Sequence, residues 1–500
     1  MLAKVRTFAL EGLDGLPVTV EVDVRRGLPA FSVVGLPDRA VRESRERVRA
    51  ALANSGVNFP QQRVTVNLAP ASLRKTGPSF DLAIAVAVVA ADGGLPGGDL
   101  LDAVCGELSL SGEIRPIRGA LAMALAARRG GVARMLVPVA NAPESALADG
   151  LEVIGVPTLA ELLELLRGDR TAEPAMPALA VDGPDRDGPD LADVRGQADA
   201  RRALEIAAAG GHNLLMIGPP GAGKTMLARR LPGILPPPTM AEAIEITKVQ
   251  GVAGLARGGL VTRRPFRAPH HTISASGLVG GGVPPKPGEV TLAHRGVLFL
   301  DELPEFARAS LEALRQPLED GSVVVVRGQR AVEYPARAML LAACNGCPCA
   351  RPPGECTCND VDRIRYARRL SGPLLDRIDL VCELGQPPPP IPAGKLEPGE
   401  SSGRVRERVL AARELQTERL RDEGVSCNAA MDARLTRRTV LLRDATCARP
   451  ALERLSGRGQ DRVLRLARTI ADLADSEQVL LEHLDEAVGY RLNDPHRAAA

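Results

Sequence analysis

The stretch Gly218–Thr225, Gly-Pro-Pro-Gly-Ala-Gly-Lys-Thr, has the residue types and spacing to bind a nucleoside triphosphate. It fits the pattern G-x-x-x-x-G-K-[ST], in which the backbone N–H groups of a glycine-rich loop surround the phosphates. Lys224 would supply a cation for the β- and γ-phosphate oxygens, and Thr225 a hydroxyl ligand for Mg²⁺. We therefore expect ATP and Mg²⁺ as cofactors, held by Gly218, Pro219, Pro220, Gly221, Ala222, Gly223, Lys224 and Thr225.

Two flanking runs would position this loop. Residues 212–217 are apolar and read as a buried strand, and residues 225–231 are good helix formers. Strand, glycine loop and helix N-terminus are the context that the motif requires, and the helix end adds partial positive charge. We predict that residues 191–385 form an α/β nucleotide-binding domain around this loop.

Two further strands are predicted to end in polar side chains. The apolar run 296–300 leads into Asp301 and Glu302, a pattern typical of a Walker B motif when it follows a phosphate-binding loop. Asp301 would hold Mg²⁺ through water, and Glu302 would polarise the water that attacks the γ-phosphate. The strand over 338–344 leads into Asn345, which would also orient that water; the alternative is an ordinary strand cap.

Composition bounds the protein class. The chain has 500 residues, enough for roughly three domains, and a net charge of +2, so any nucleic-acid site must be local. No apolar run approaches the ~20 residues of a membrane span, and the first residues lack the apolar core of a signal peptide. The nine cysteines, four of them crowded together, suit a reducing compartment. We expect a cytoplasmic protein without a membrane partner.

The remaining chain divides by composition. Residues 1–168 are predicted to form an α+β domain, with strands around residues 18–24, 31–34 and 64–68 and helices at 38–54, 82–91 and 121–129. Residues 169–190 are rich in Pro, Gly and Asp and are interpreted as a flexible linker. Residues 386–401 form a proline-rich connector, and residues 402–500 a helical domain.

Several longer runs carry a family resemblance. Residues 35–48, 264–272, 287–294 and 314–320 resemble the ComM/YifB group of magnesium-chelatase-like proteins. The resemblance implies an α/β AAA+ P-loop ATPase core with a helical lid, preceded by a Lon-protease-like N-terminal domain. It also implies an ATP-driven hexameric motor that acts on DNA in branch migration during natural transformation.

The resemblance assigns roles to two arginines. Residues 370–380 resemble the segment that carries the arginine finger, so Arg377 would act on the nucleotide of a neighbouring subunit in a ring. The alternative for Arg377 is a local salt bridge with Asp376 or Asp379. In the lid, Arg458 best matches the sensor 2 arginine, and Arg462, one turn on, competes with it.

The Lon relation raises the question of proteolysis. Ser79 falls where Lon-type proteases carry a nucleophilic serine, but Leu121 stands where the lysine base would be. A serine without a base is a poor nucleophile. We therefore expect no protease activity.

Two insertions would suit contact with DNA. The first, residues 264–288, is glycine-rich and holds Arg267 and Lys286, together with His270 and His271, to which we assign no catalytic role. The second is a predicted hairpin over 323–334 with Arg327, Gln329 and Arg330 at its tip. Arginines there suit phosphate contacts without sequence reading, and the alternative is a solvated turn. Aromatic residues are only 2% of the chain, so base stacking is poorly supplied.

Four cysteines are close in sequence. Cys347, Cys349, Cys356 and Cys358 could bind Zn²⁺ tetrahedrally between Asn345 and Arg377. Each pair is one residue tighter than the usual C-x-x-C, and the alternative is four loose reduced thiols.

Three functions are compatible with these features. The first is a ring-forming ATPase that remodels or branch-migrates DNA, single-stranded or branched. The second is a chelatase-type ATPase subunit that powers metal insertion into a porphyrin. The third is a regulatory ATPase that remodels a protein partner.

Overall fold

The computed structural model describes residues 1–95, 99–178, 188–256, 258–327, 330–351, 355–370, 372–385, 399–443, 452–453 and 455–492. The chain divides into two compact units. Unit 1 contains Met1–Gly183 and Thr239–Thr262, and unit 2 contains Pro184–Pro238 and Arg263–Ala500. Within the described residues, no helix is long and apolar enough to cross a membrane.

Unit 1 is built on a seven-stranded mixed sheet with the strand order β3-β4-β2-β1-β5-β8-β9. The pairs β1–β2 and β2–β4 are antiparallel, and the other neighbours are parallel. A separate two-stranded ribbon joins β6 and β7. The strands are β1 (Leu2–Glu11), β2 (Asp14–Arg25), β3 (Ala30–Val34), β4 (Arg63–Ala69), β5 (Asp99–Val104), β6 (Glu107–Leu108), β7 (Ile114–Arg115), β8 (Arg134–Pro138) and β9 (Glu152–Val156).

The alternation predicted for β2 is confirmed, because Val18, Val20, Val22 and Val24 are all buried on one face. Helices pack against this sheet, and their apolar faces supply the rest of the core. The helices of unit 1 are Arg39–Arg42, Ser44–Asn54, Asp81–Ala91, Ala120–Arg129, Ala142–Ser145, Leu159–Arg167 and Met240–Ala253, with 3-10 turns at Pro78–Phe80 and Val139–Asn141.

The single helix predicted over 38–54 is wrong in one respect. Asp38 caps the first turn by accepting a hydrogen bond from the Val41 N–H at 2.8 Å. The helix is then interrupted at Glu43 and begins again at Ser44. The buried Ser44 hydroxyl donates to the Val41 carbonyl at 2.6 Å, a side-chain bond to the backbone that competes with a regular helix.

The sequence did not reveal that Thr239–Thr262 groups with unit 1. Its helix contacts the rest of that unit through a hydrogen bond from Gly119 N to Gly251 O at 3.1 Å. The predicted linker over 169–190 is also partly fixed, since Ala175 N donates to Val153 O at 2.7 Å. The boundaries predicted at residues 168, 190, 385 and 401 stay predictions, and the proline-rich segment 386–398 lies outside the described residues.

Unit 2 is built on a five-stranded parallel sheet with the order β11-β14-β17-β10-β18. The central strands are buried throughout, which confirms the α/β core predicted from the apolar runs. The strands are β10 (Leu214–Ile217), β11 (Phe266–Arg267), β12 (Gly280–Gly281), β13 (Lys286–Pro287), β14 (Val297–Leu300), β15 (Ser322–Arg327), β16 (Arg330–Pro335), β17 (Met339–Cys344) and β18 (Leu380–Glu383).

Helices surround this sheet and continue into the C-terminal region. They are Ala198–Gly210, Lys224–Ala228, Leu231–Ile234, Ala275–Val279, Glu289–Leu292, Arg308–Ala313, Arg315–Asp320, Asp360–Ala367, Gly372–Leu375, Ser402–Arg419, Ala433–Thr439, Gly457–Leu473 and Leu481–Leu492. Short 3-10 turns lie at Leu191–Asp193, Leu303–Glu305 and Asn428–Ala430.

The helix Gly457–Leu473 has one apolar and one polar side. Ser456 caps it, and Ala467 and Ile470 are buried against the core of unit 2. Its polar side forms a buried network around the carboxylate of Asp472. Arg419 donates to both Asp472 oxygens, at 2.9 and 2.7 Å, and Arg468, itself only 1% exposed, donates at 3.0 Å.

Two hairpins interrupt the core of unit 2. The hairpin β15–β16 is confirmed, with Val325 opposite Val332 and the backbone of Arg327 opposite that of Arg330. The shorter ribbon β12–β13 lies beside it, and the Tyr334 hydroxyl donates to the Pro285 carbonyl at 3.0 Å. The two predicted insertions therefore pack together.

Candidate active site

The loop 218–223 connects β10 to the helix that begins at Lys224, which is the context the sequence predicted. Gly221 and Gly223 have φ values of 75° and 90°, a left-handed conformation that suits glycine. At Gly218 a side chain would not fit, because a Cβ atom would lie 2.9 Å from the Leu384 carbonyl oxygen. The local backbone thus requires glycine at all three positions.

Lys224 is buried beneath this loop. Its Nζ donates to the carbonyl oxygens of Gly218 at 2.6 Å and Pro219 at 3.0 Å, and to Oδ1 of Asn345 at 3.0 Å. Burial lowers the pKa of Lys224, while the carboxylates of Asp301 and Glu302 oppose that shift. The ammonium group is held at the edge of the sheet where the phosphate oxygens are expected.

Thr225 and Asp301 lie together at the carboxyl edge of the parallel sheet. The Thr225 hydroxyl donates to Oδ2 of Asp301 at 2.7 Å. A hydroxyl and a carboxylate are the hard oxygen ligands that Mg²⁺ prefers, often through water. The two side chains fit the ion expected there, which would neutralise phosphate charge when bound.

Glu302 follows Asp301 in an αL conformation, with φ 53°, and its N–H donates to Oδ1 of Asp301 at 3.0 Å. Its own carboxylate has a partner that the sequence did not reveal, because Nδ1 of His271 lies 3.1 Å from Oε2 of Glu302. The ring of His271 lies beside that of His270, with centroids 4.1 Å apart. The only sign of this contact in the sequence is the pair His270 and His271, which follows β11, the strand that neighbours β14.

Arg377 lies beside the amino end of β10, whereas the glycine loop follows the carboxyl end of that strand. Its carbonyl accepts a hydrogen bond from Nδ2 of Asn213 at 2.9 Å, and Asn213 precedes β10, whereas the loop follows β10. At about 3.3 Å per residue, the strand separates the two ends by roughly 16 Å. Arg377 is therefore far from the glycine loop of its own chain.

Arg377 is one of four arginines that lie close together. They line a cavity of ≈ 210 Å³ together with Glu319 and Asp379; the arginines are Arg377, Arg458, Arg462 and Arg465. Both candidates for the sensor 2 position, Arg458 and Arg462, are thus on the same side as the predicted finger. Such a concentration of guanidinium groups suits an anion such as a phosphate.

Among the described residues, Arg377 pairs with neither Asp376 nor Asp379, the two alternative partners that the sequence suggested. Arg377 forms an ion pair with Glu319 and donates to the Pro373 carbonyl at 2.6 Å, and its buried Nε has no partner among the described residues. Asp379 instead lies 3.5 Å from Nδ1 of His212 and 3.6 Å from Nε of Arg462. Burial would raise the pKa of Asp379, but His212 and the nearby arginines lower it to about 2.

The residues predicted to contact DNA differ in their surroundings. Arg267 forms a bidentate ion pair with Glu289, at 2.6 and 2.8 Å, which counts against a role in binding phosphate. Lys286 is exposed on β13. Gln329 lies outside the described residues, and so do the side chains of Arg327 and Arg330.

The four cysteines predicted as a metal site come together. The sulfur atoms of Cys347, Cys349, Cys356 and Cys358 all lie within 4.8 Å of one another. Backbone N–H groups of Arg351 and Thr357 lower the pKa of Cys349 to about 5, which favours its thiolate. The cluster could hold a metal ion.

The position assigned to a protease lysine is apolar. Leu121 is 1% exposed and packs with Leu147, Ala243 and Leu260 in the core of unit 1. Since leucine cannot act as a base, the side chain at this position gives Ser79 no activation.

Comparison with family models places the chain in the magnesium-chelatase class of AAA+ ATPases. The family described as "Magnesium chelatase, subunit ChlI" matches residues 190–389, "Subunit ChlI of Mg-chelatase" matches 20–141, and "Magnesium chelatase, subunit ChlI C-terminal" matches 399–491.

Relatives within that class align over nearly the whole chain, among them ComM and YifB. The competence protein ComM of Haemophilus influenzae is 43% identical over 507 residues, 98% of this chain and 97% of ComM. YifB of Escherichia coli is 43% identical over 500 residues, 99% of this chain and 97% of YifB. A Lon protease of Rhizobium meliloti is 29% identical over only 36% of this chain and 25% of its own length. The chain belongs to the ComM/YifB family.

Proposed function

We propose that this protein is a ring-forming ATPase, a hexamer in the cytoplasm, that couples ATP hydrolysis to remodelling or branch migration of DNA. The observation that carries the proposal is the separation of Arg377 from Lys224 across the unit 2 sheet. An arginine finger on the far edge can reach only the nucleotide of another subunit, and this requires an oligomer with a head-to-tail interface.

The chemistry proposed for the nucleotide site uses residues from three strand ends. The backbone of the glycine loop and Lys224 bind the phosphates of ATP, and Thr225 and Asp301 would hold Mg²⁺, which would offset phosphate charge. Glu302 accepts a proton from the attacking water, which Asn345 orients. Arg377 and Arg458 of one subunit stabilise the charge that develops on the nucleotide of the next.

Support for DNA as the partner comes from the packed hairpins and from the family. The alignment with a competence protein covers 98% of this chain. The hairpin β15–β16 lies beside β12–β13, whose exposed Lys286 adds a positive charge. Arg327, Arg330 and Lys286 would contact the phosphate backbone of DNA, and such contacts hold DNA of any sequence.

The test is steady-state ATP hydrolysis with and without a synthetic four-way DNA junction, at low and physiological salt. We expect the junction to stimulate turnover, and more weakly at higher salt because phosphate contacts weaken. The double variant Arg327→Ala/Arg330→Ala should lose the stimulation but keep basal turnover. The matched control is Arg45→Ala/Arg49→Ala, two exposed arginines on the helix Ser44–Asn54 of unit 1. Equal losses of DNA stimulation in both double variants would show that the hairpin arginines do not bind the DNA.

A chelatase-type ATPase is the second candidate, because all three family descriptions refer to magnesium chelatase. In that function the ring would drive metal insertion through partner subunits, and DNA would not affect turnover. ATP hydrolysis that is unchanged by every form of DNA would favour this candidate.

A further inference from the structure

We propose that Cys347, Cys349, Cys356 and Cys358 form a structural zinc site that fixes the position of Asn345 at the nucleotide site. Three of the sulfur–sulfur distances are 3.4, 3.6 and 3.7 Å. Four thiolates around one Zn²⁺ at about 2.3 Å have sulfurs about 3.8 Å apart, by tetrahedral geometry. The sulfurs are thus spaced for a single ion.

The same distances argue against the other chemistry of clustered cysteines. A disulfide has an S–S bond of about 2.0 Å, so the pairs lie too far apart to be bonded. In a [4Fe–4S] cluster each thiolate binds a different iron, and in a [2Fe–2S] cluster two thiolates bind each iron. Either cluster spreads the four sulfurs over more than one metal centre, farther apart than a shared ion does. Four cysteine ligands leave no open position, and a closed site of this kind is structural, not catalytic.

The site would join the segment after β17, which carries Asn345, to the start of the helix Asp360–Ala367. Cys347 comes two residues after Asn345, whose side chain contacts Lys224 at 3.0 Å. Cys358 comes just before the helix Asp360–Ala367, which Asn359 and Asp362 cap reciprocally. The ion would therefore tie the end of β17 to the start of this helix.

Contacts from that helix point back to the nucleotide site. Arg363 donates to Sγ of Cys356 at 3.4 Å, and Tyr366 on the same helix lies near the backbone of Asn345. Just beyond the helix, NH1 of Arg369 lies 3.0 Å from both carboxylate oxygens of Glu305, three residues after Glu302. Loss of the ion would free the start of the helix and, through it, the segment that carries Asn345.

The first test is the metal content of the full chain, purified without a metal-affinity tag. We expect about one zinc ion per chain by elemental analysis, as in closed Cys₄ sites. The variant Cys356→Ser/Cys358→Ser should lose it, whereas Cys427→Ser, a cysteine outside the cluster, should keep it. Iron in place of zinc, no metal, or equal loss in the control would overturn the proposal.

A second measurement avoids a variant that fails to fold. A mercurial reagent releases zinc from thiolates of the wild-type protein, and a chromogenic chelator records the release. We expect ATP turnover to fall at least about tenfold as zinc leaves, because a misplaced water-orienting group costs rate, while affinity for ATP changes little. Zinc release without any change in turnover would show that the ion does not position Asn345. The zinc content itself does not depend on whether DNA is the partner.

Discussion

Asn345 and Lys224 follow two neighbouring strands of the unit 2 sheet, and Oδ1 of Asn345 accepts a hydrogen bond from Nζ of Lys224 at 3.0 Å. Parallel strands bring their carboxyl ends to one edge, so residues 121 positions apart in sequence share one site. The third strand end of this group supplies Asp301, which contacts Thr225. The candidate nucleotide site is thus assembled by the sheet itself.

Replacing Lys224 with alanine should remove the principal cation from the phosphate site. We expect affinity for ATP to fall by about 10- to 150-fold, the equivalent of a charge-assisted hydrogen bond of about 1.5–3 kcal/mol. Titration with a fluorescent ATP analogue would measure it. Lys248→Ala is the matched control, since Lys248 pairs with Asp14 in unit 1. Wild-type affinity in Lys224→Ala would refute the phosphate-binding role.

Glu302→Gln should separate binding from hydrolysis. The amide keeps the size of the side chain but cannot accept a proton, so turnover should fall about 10²- to 10⁴-fold. Affinity for ATP should stay near that of the wild type. Single-turnover hydrolysis of radiolabelled ATP measures the chemical step, and Glu312→Gln, which removes a surface ion pair with Arg315, serves as control. Normal turnover in Glu302→Gln would mean that another group activates the water.

The position of Arg377 leads to a prediction about mixed rings. Arg377→Ala and Lys224→Ala should each abolish most ATP hydrolysis when assayed alone. When the two are mixed, some interfaces pair an intact glycine loop with an intact Arg377, so activity should partly return. No recovery at any mixing ratio, in samples shown to co-assemble, would place Arg377 and Lys224 in the same site.

Asp472→Asn should destabilise the C-terminal helices. The buried carboxylate of Asp472 balances Arg468 and Arg419, and its loss leaves buried positive charge unpaired, at a cost of about 3–5 kcal/mol. Native-state hydrogen exchange along the helix Gly457–Leu473 would report the change. The exposed Asp485→Asn is the control. Unchanged protection in Asp472→Asn would show that the arginines find other partners.

Much of the core was predictable because its signals are local. The glycine loop, the apolar strands before Asp301 and Asn345, and the β15–β16 hairpin all depend on residues close together in sequence, and periodicity and turn chemistry report such order well.

Other features depend on contacts between distant residues, which periodicity cannot report. His271 contacts Glu302, which lies 31 positions away in sequence. Arg377 forms its ion pair with Glu319 and not with the nearby Asp376 or Asp379. The helix Met240–Ala253 groups with unit 1 although it follows the glycine loop in sequence. Each outcome is decided by which surfaces meet in three dimensions.

The most direct test of a DNA motor is ATP-dependent migration of a synthetic four-way junction with one fluorescent arm. The strands are designed so that movement of the crossover releases a labelled duplex, which is resolved on a gel. We predict release by the wild-type protein with ATP, and none with Glu302→Gln or with a non-hydrolysable analogue. ATP hydrolysis that proceeds in the presence of the junction while every labelled strand stays in place would contradict the account.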